Sequence, residues 1–189
     1  MPTFIGRISK LSVLAAGPGS VQLLINGYTA NSNVSSVFTG SVQPEVFGAM
    51  TVLATAASLT GRDTGIDHVP VPGMDDAVTA MAIPPAYHGE VNPLSSDGLF
   101  KGVITAIRVT DSPTPQLLFR AEADGVVADF EVLEASSGKP SPAMAQTFVA
   151  LTSLVTGALF GRQTVWIQFQ VLEGLKGQQP RATWIQLPF

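Results

Sequence analysis

Phe4-Ile5-Gly6-Arg7-Ile8 and Phe100-Lys101-Gly102-Val103-Ile104 share one pattern, an aromatic residue, a glycine two places on, and a β-branched run. Reading the two stretches as one element written twice decides the fold. Working outward from them, Gln22-Leu23-Leu24 finds its echo in Gln116-Leu117-Leu118. Leu59-Thr60-Gly61-Arg62 is echoed by Leu159-Phe160-Gly161-Arg162, and Ile83-Pro84 by Leu187-Pro188. The anchors come in the same order in both halves and their spacing varies only slightly, so the insertions fall in turns. An internal duplication fixes the unit that folds, and the elements are therefore assigned within it.

The second copy is the easier to parse. Leu99 to Asp111 alternates as a strand, with Phe100 off-phase and Val103, Ile104, Ile107 and Val109 supplying the apolar positions. Pro113 and Pro115 break it. Residues 116–123 and 126–135 then form a hairpin around Asp124-Gly125, a strong two-residue turn signal. Ser141 caps a helix with Pro142 at its first position, and Met144, Phe148, Leu151 and Val155 recur at helical spacing. The helix runs to about Phe160, with Gly161 expected in the left-handed position beyond it. Strands at 164–172 and 182–187 complete the unit. The first copy predicts strands near 3–15, 20–30 and 33–40, a helix over 44–60, and strands near 64–71 and 77–83, with Gly17-Pro18-Gly19-Ser20 as a hairpin turn.

Each unit thus reads β-β-β-α-β-β, the chain order of an OB-fold, a five-stranded Greek-key barrel. The fold class expected is mainly β with two helices, as two tandem five-stranded OB-like barrels. Residues 1–85 form the first unit, 86–98 a Pro/Gly/Ser-rich linker, and 99–189 the second. A single continuous sandwich in which the halves exchange strands is the alternative architecture.

The run from Leu154 through Gly157, Gly161-Arg162 and Val165-Trp166-Ile167, ending in Ala182-Thr183-Trp184-Ile185-Gln186-Leu187, resembles the C-terminal part of the receptor-binding B subunits of bacterial AB5 toxins. Those subunits are ring-forming OB-folds, so the resemblance implies the barrel and a ring-like homo-oligomer. It assigns no sugar-binding residue.

Composition constrains the partners. The chain of 189 residues is 46% hydrophobic and only 13% charged, about half the usual charged share. A surface so weakly charged tolerates burial against other proteins, although a compositional habit of the source genome gives the same numbers. A net charge of −4 supplies no counterion-release drive towards nucleic acid and no polybasic membrane footprint. With no cysteine there is neither a disulfide framework nor a thiolate metal site. Met1-Pro2-Thr3-Phe4 leads into a strand without a secretory signal, so the chain as written reads as cytoplasmic, and as secreted if it is a mature form.

No nucleophile elbow, phosphate loop or dinucleotide fingerprint occurs, and no catalytic, cofactor-binding or metal-ligating residue is expected. Asp67-His68 with Asp75-Asp76 is the densest polar cluster. Alternation sends Asp67 and His68 to opposite faces, which favours solvated polarity over a metal. Asp129 and Glu131 share one strand face and read as facing solvent or a basic partner surface, with Arg120 and Glu122 as cross-strand neighbours. His88 sits in the linker, exposed or packed at the junction. Arg62 and Arg162 face the negative ends of their helices. Trp166 and Trp184 read as core or interface packing in preference to stacking platforms, and Ala80 stands in the first unit where Trp184 stands in the second.

The two helices carry the sharpest expectation. Residues 142–160 include no charge and 44–60 include only Glu45, whereas a helix with one wet face normally carries several. Their outer faces, at Val149, Thr156 and Leu159 and at Thr51 and Thr55, are expected to be covered by the sister unit or by neighbouring subunits. The reading is a non-catalytic homo-oligomeric binding or assembly protein whose further partner would be another protein or a glycan. A single-stranded nucleic-acid-binding OB protein is the alternative, opposed by charge and sparse aromatics.

Overall fold

Alternating apolar positions and turn residues produce ten strands and two helices in the computed structural model, which describes residues 3–15, 21–29, 32–39, 44–89, 91–111, 115–133, 142–171 and 179–187. In chain order these are β1 (Thr3–Ala15), β2 (Val21–Thr29), β3 (Ser32–Thr39), α1 (Pro44–Thr60), β4 (Thr64–Val69) and β5 (Asp76–Ile83), then β6 (Gly98–Thr110), β7 (Gln116–Ala123), β8 (Val126–Leu133), α2 (Pro142–Gly161), β9 (Thr164–Gln170) and β10 (Arg181–Gln186). The expected Gly17–Ser20 turn and the Ser141 cap lie outside the described residues.

In the second half the ladders close a five-stranded β-barrel. β6 pairs with β7 and β7 with β8, β8 meets β10 in parallel at Glu131↔Arg181, and β9 lies antiparallel between β10 and β6. The Asp124-Gly125 turn has φ of 47° and 79°, the positive values that a two-residue hairpin requires. Ladders run in the same order through the first half: β1–β2, β2–β3, β3–β5 in parallel, β5–β4 and β4–β1.

The registers also correspond. Leu24↔Thr39 and Thr39↔Ala77 in the first half match Leu118↔Glu131 and Glu131↔Arg181 in the second. Bulges fall between Ile8 and Lys10 and between Ile104 and Ala106. The second of these explains the phase of β6: Phe100, Gly102 and Ile104 point inward, and after the bulge Ile107 and Val109 do so, while Ala106 lies on the outer face opposite Arg120 and is buried with Tyr87. Phe100 is therefore in phase with its own half of the strand. The glycine in each anchor motif has a packing cause. A Cβ on Gly102 would lie 2.6 Å from the Phe100 ring and 2.7 Å from the Glu122 carbonyl oxygen, and one on Gly6 would meet the Phe4 ring at 2.7 Å and the Tyr28 carbonyl. The aromatic ring folds over its own backbone where the strand bends.

The end of α2 departs from expectation by one residue. α1 is followed by left-handed Gly61 (φ 62°), but α2 includes Gly161, and Arg162 takes the left-handed position (φ 51°). The closing hydrogen bonds, from Arg62 N–H to Ala57 O and from Gln163 N–H to Ala158 O, confirm that the equivalent of Gly61 is Arg162.

One further ladder crosses between the halves. β5 and β6 pair antiparallel through Ala80↔Thr110, Met81↔Val109, Ala82↔Arg108 and Ile83↔Ile107, giving one ten-stranded sheet. The other ladders among the described residues stay within a half, so strands are not exchanged. Beside a smaller cluster of Ala82, Tyr87, Ala106 and Leu118, the main hydrophobic cluster runs through the molecule, from Ile25, Met50 and Met81 to Ile107, Phe130 and Ile167. Phe130 is its centre on the second side, 5.5 Å from each of the Phe100, Phe119 and Phe169 rings.

Candidate functional site

A connected set of polar groups crosses the seam between the halves. Asp67, on β4, accepts hydrogen bonds from Thr3 Oγ1 at 2.7 Å and from Arg108, on β6, at 2.5 Å. Arg108 also donates to the Tyr87 carbonyl at 3.4 Å. The Tyr87 hydroxyl in turn donates to Asp129 Oδ1 at 3.1 Å. Arg120 grips both Asp129 oxygens, at 2.8 and 3.0 Å, and its guanidinium lies 5.2 Å above the Tyr87 ring. Val91 N–H donates to Asp129 Oδ2 at 2.6 Å, and Asp129 N–H donates back to the Val91 carbonyl at 2.8 Å. One chain of polar contacts thus runs from the first half, through the linker, into the second.

The electrostatics follow from burial. Burial and the neighbouring Asp129 charge push the Tyr87 phenol well above its ordinary value, so it remains a donor. The hydrogen bond to Asp129 raises Arg120 further. Burial pushes Asp67 up, but the hydrogen bonds from Thr3 and Arg108 and the Arg108 charge outweigh it, and its carboxyl lies below the ordinary aspartate value. Glu131 behaves oppositely: burial raises it, only partly offset by the hydrogen bond from Gln116 at 3.0 Å and by the Arg181 charge.

Two expectations are corrected here. Asp129 and Glu131 do share a face, but that face is covered: they are 0% and 4% exposed. The linker lies over Asp129 and the Pro180 segment over Glu131, whose N–H donates to the Pro180 carbonyl. Of the Asp67 cluster, Asp75 is exposed as expected, but Asp67 itself is buried in an ion pair between the halves. His68 turns to a separate partner, Asp76 Oδ2, at 2.6 Å from its Nδ1. Among the described residues no three His, Cys, Asp or Glu side chains gather as metal ligands.

Beside this network lies an open cleft of about 380 Å³, lined by Tyr87, His88, Thr105, Arg120 and Glu122 among others. His88 is exposed at its rim. The carboxylates and guanidinia around the cleft are engaged with one another: Arg120 with Asp129, and Glu122 with the Thr105 hydroxyl at 2.9 Å. The arrangement straps the linker to β8 through Asp129 and ties β4 to β6 through Asp67 and Arg108. Tyr87, Arg108 and Val91 escaped the sequence reading; the available signal was that Tyr87 is the one aromatic residue in an otherwise Pro/Gly/Ser-rich linker.

The tryptophans are not in the core. Trp184 is 44% exposed and Trp166 is half-buried, with Lys101 Nζ 5.0 Å over its ring. Ala80, the counterpart of Trp184, is buried at the seam. Arg62 stacks on Phe160 of the other half's helix, 5.2 Å from the ring centroid, while Arg162 is exposed.

The residues expected at a subunit interface divide. α1 packs against α2 within the chain, Val149 sitting so close to Gly48 that a Cβ there would lie 2.5 Å from it. Thr156 and Leu159 are buried within this single chain, and Thr51 is half-buried, donating to the Phe47 carbonyl at 2.7 Å. Thr55 is exposed, as are Ala150, Ser153 and Gly157 on the outer side of α2. No described helix is long and apolar enough to cross a membrane. No protein-family model matches the chain, and no curated protein matches its sequence.

Proposed function

We propose that the chain is a tandem pair of OB-like barrels, residues 1–85 and 99–189 with 86–98 as the strap between them, and that it is a non-catalytic assembly protein whose copies join into larger homo-oligomers. The observation that carries this reading is the β5–β6 ladder, in which the edge of one five-stranded unit is extended by the first strand of the next. A unit that buries its sister by sheet extension carries the means of burying further copies. The sparse charge and the uncharged outer faces of α1 and α2 support the same reading.

Light scattering or native mass spectrometry over a range of concentrations tests it. The expected result is a mass that is a multiple of the 19.7 kDa chain. A monomer throughout overturns it. The alternative, a single-stranded nucleic-acid-binding protein, gains one supporting observation: Trp184 and the Lys101-capped Trp166 lie on the outer face of one barrel wall. Steeply salt-dependent binding to DNA or RNA oligomers would favour it, and the net charge of −4 predicts none.

A further inference from the structure

The ladder that joins the halves has a counterpart that the chain leaves open. Correspondence between the halves is fixed by their bulges and cross-strand bonds. Thr79 and Thr183 occupy equivalent bulges, and each donates its hydroxyl at 3.2 Å to the backbone carbonyl of a matching residue, Asp67 and Gln168. On that correspondence the seam residues of β5, Ala80 to Ile83, match Trp184 to Leu187 at the end of β10. The seam residues of β6, Ile107 to Thr110, match Leu11 to Leu14 of β1.

Both matching edges lack a strand among the described residues. β10 meets β8 only at Arg181 and uses its other edge for β9. β1 meets β4 only over Thr3–Gly6, and residues 7–15 use the opposite edge for β2. Exposure separates the two cases. Val109 is fully buried at the seam and its counterpart Val13 is 53% exposed; Ala80 is 3% exposed and its counterpart Trp184 is 44%. Leu11-Ser12-Val13-Leu14 and Trp184-Ile185-Gln186-Leu187 also contain none of the charges or prolines by which isolated edges are normally protected from pairing.

We infer that copies join head to tail by antiparallel pairing of β10 of one chain with β1 of the next, in the register Leu187↔Leu11, Gln186↔Ser12, Ile185↔Val13 and Trp184↔Leu14. The inference rests on the assembly reading and specifies its contact. It is heterologous, using different surfaces on the two copies, so it propagates until a ring closes or a filament grows. Neither the linker strap nor the buried ion pair is repeated there, because Ser12 and Gln168 stand where Arg108 and Asp67 stand at the seam. The contact between copies is therefore the weaker of the two.

The chain has no cysteine, which makes disulfide trapping direct. Under mild oxidation the double variant Ser12→Cys/Gln186→Cys should give a ladder of covalent multimers on a non-reducing gel. Each single variant, and the out-of-register pair Lys10→Cys/Gln186→Cys, should stop at dimers or below. Val13→Lys, at a position already exposed in the single chain, should shift the scattering mass to the monomer while the chain keeps its folded circular dichroism and a cooperative melt. A wild-type multimer that gives no ladder and ignores Val13→Lys overturns the edge assignment and leaves assembly standing. An equal ladder from the out-of-register pair overturns the register, and a wild-type monomer at every concentration overturns both readings.

Discussion

At the seam, Met81 and Val109 face each other across a ladder and neither is exposed to solvent; at the matching positions of the open edges, Ile185 is 7% exposed and Val13 53%. The strands have the same pattern and the same bulges, and what differs is their surroundings. Where the halves meet, the residues are small or charged in complementary pairs: Ala80, Ala82, and Asp67 with Arg108. Where no partner strand lies among the described residues, the same places hold Trp184, Gln186, Gln168 and Ser12. A duplicated strand can thus keep its local code while its outward residues adapt to what lies beside it.

The comparison is broken most severely at the strap. Asp129→Ala removes the acceptor for Arg120, Tyr87 and the Val91 N–H at a fully buried site, and should cost about 3–5 kcal/mol in chemical denaturation. Asp67→Ala, across the seam, should cost about 2–4 kcal/mol by leaving Arg108 buried without its carboxylate. Gln168→Ala at the matching open position should change stability by less than about 0.5 kcal/mol in the isolated chain. The ion pair also predicts a pH dependence. Because folding lowers the Asp67 pKa, its contribution is complete above the ordinary aspartate value of 3.8 and is lost as pH falls through the lower folded value. Thermal melts of wild type and Asp67→Ala should therefore converge only in strong acid.

Smaller effects sharpen the contrast. Gly48→Leu forces side-chain atoms against Val149 and should cost about 1–3 kcal/mol, some of which Val149→Ala restores. At the foot of the open edge, Glu131→Gln should stabilise the chain by about 1 kcal/mol near neutral pH. Folding raises the Glu131 pKa, so the charged carboxylate is the unfavourable form. The gain should shrink as pH falls towards and below the ordinary glutamate value of 4.5, where wild type is protonated in both states. A pH series of denaturation midpoints measures it.

The strands, the Asp124-Gly125 hairpin and the helix extents were legible because each rests on a local pattern of alternation, turn chemistry or helical spacing. The seam was not, because its bonds join residues far apart in the chain, as Asp67 joins Arg108 and Tyr87 joins Asp129. Alternation placed Asp129 and Glu131 outside the barrel, and geometrically they are; a segment read as a loose linker then covers the Asp129 face. The Leu-x-Gly-Arg echo misled by one residue, because α2 continues through Gly161 and it is Arg162 that turns the chain. Letters matched where positions did not. Trp184 was read as core or interface packing; it lies outside the core, at an edge with no strand beside it among the described residues.

The linker, pinned by Tyr87 and Val91 to Asp129, has a further effect on how the molecule responds to dilution. By tethering β5 to β6 it gives the internal ladder an effective concentration on the order of millimolar, fixed by covalent connection. Contacts between separate chains have no such tether and follow the bulk concentration. If copies join as proposed, dilution would therefore separate them from each other while leaving the two halves of each copy engaged, and the smallest particle would be the paired unit.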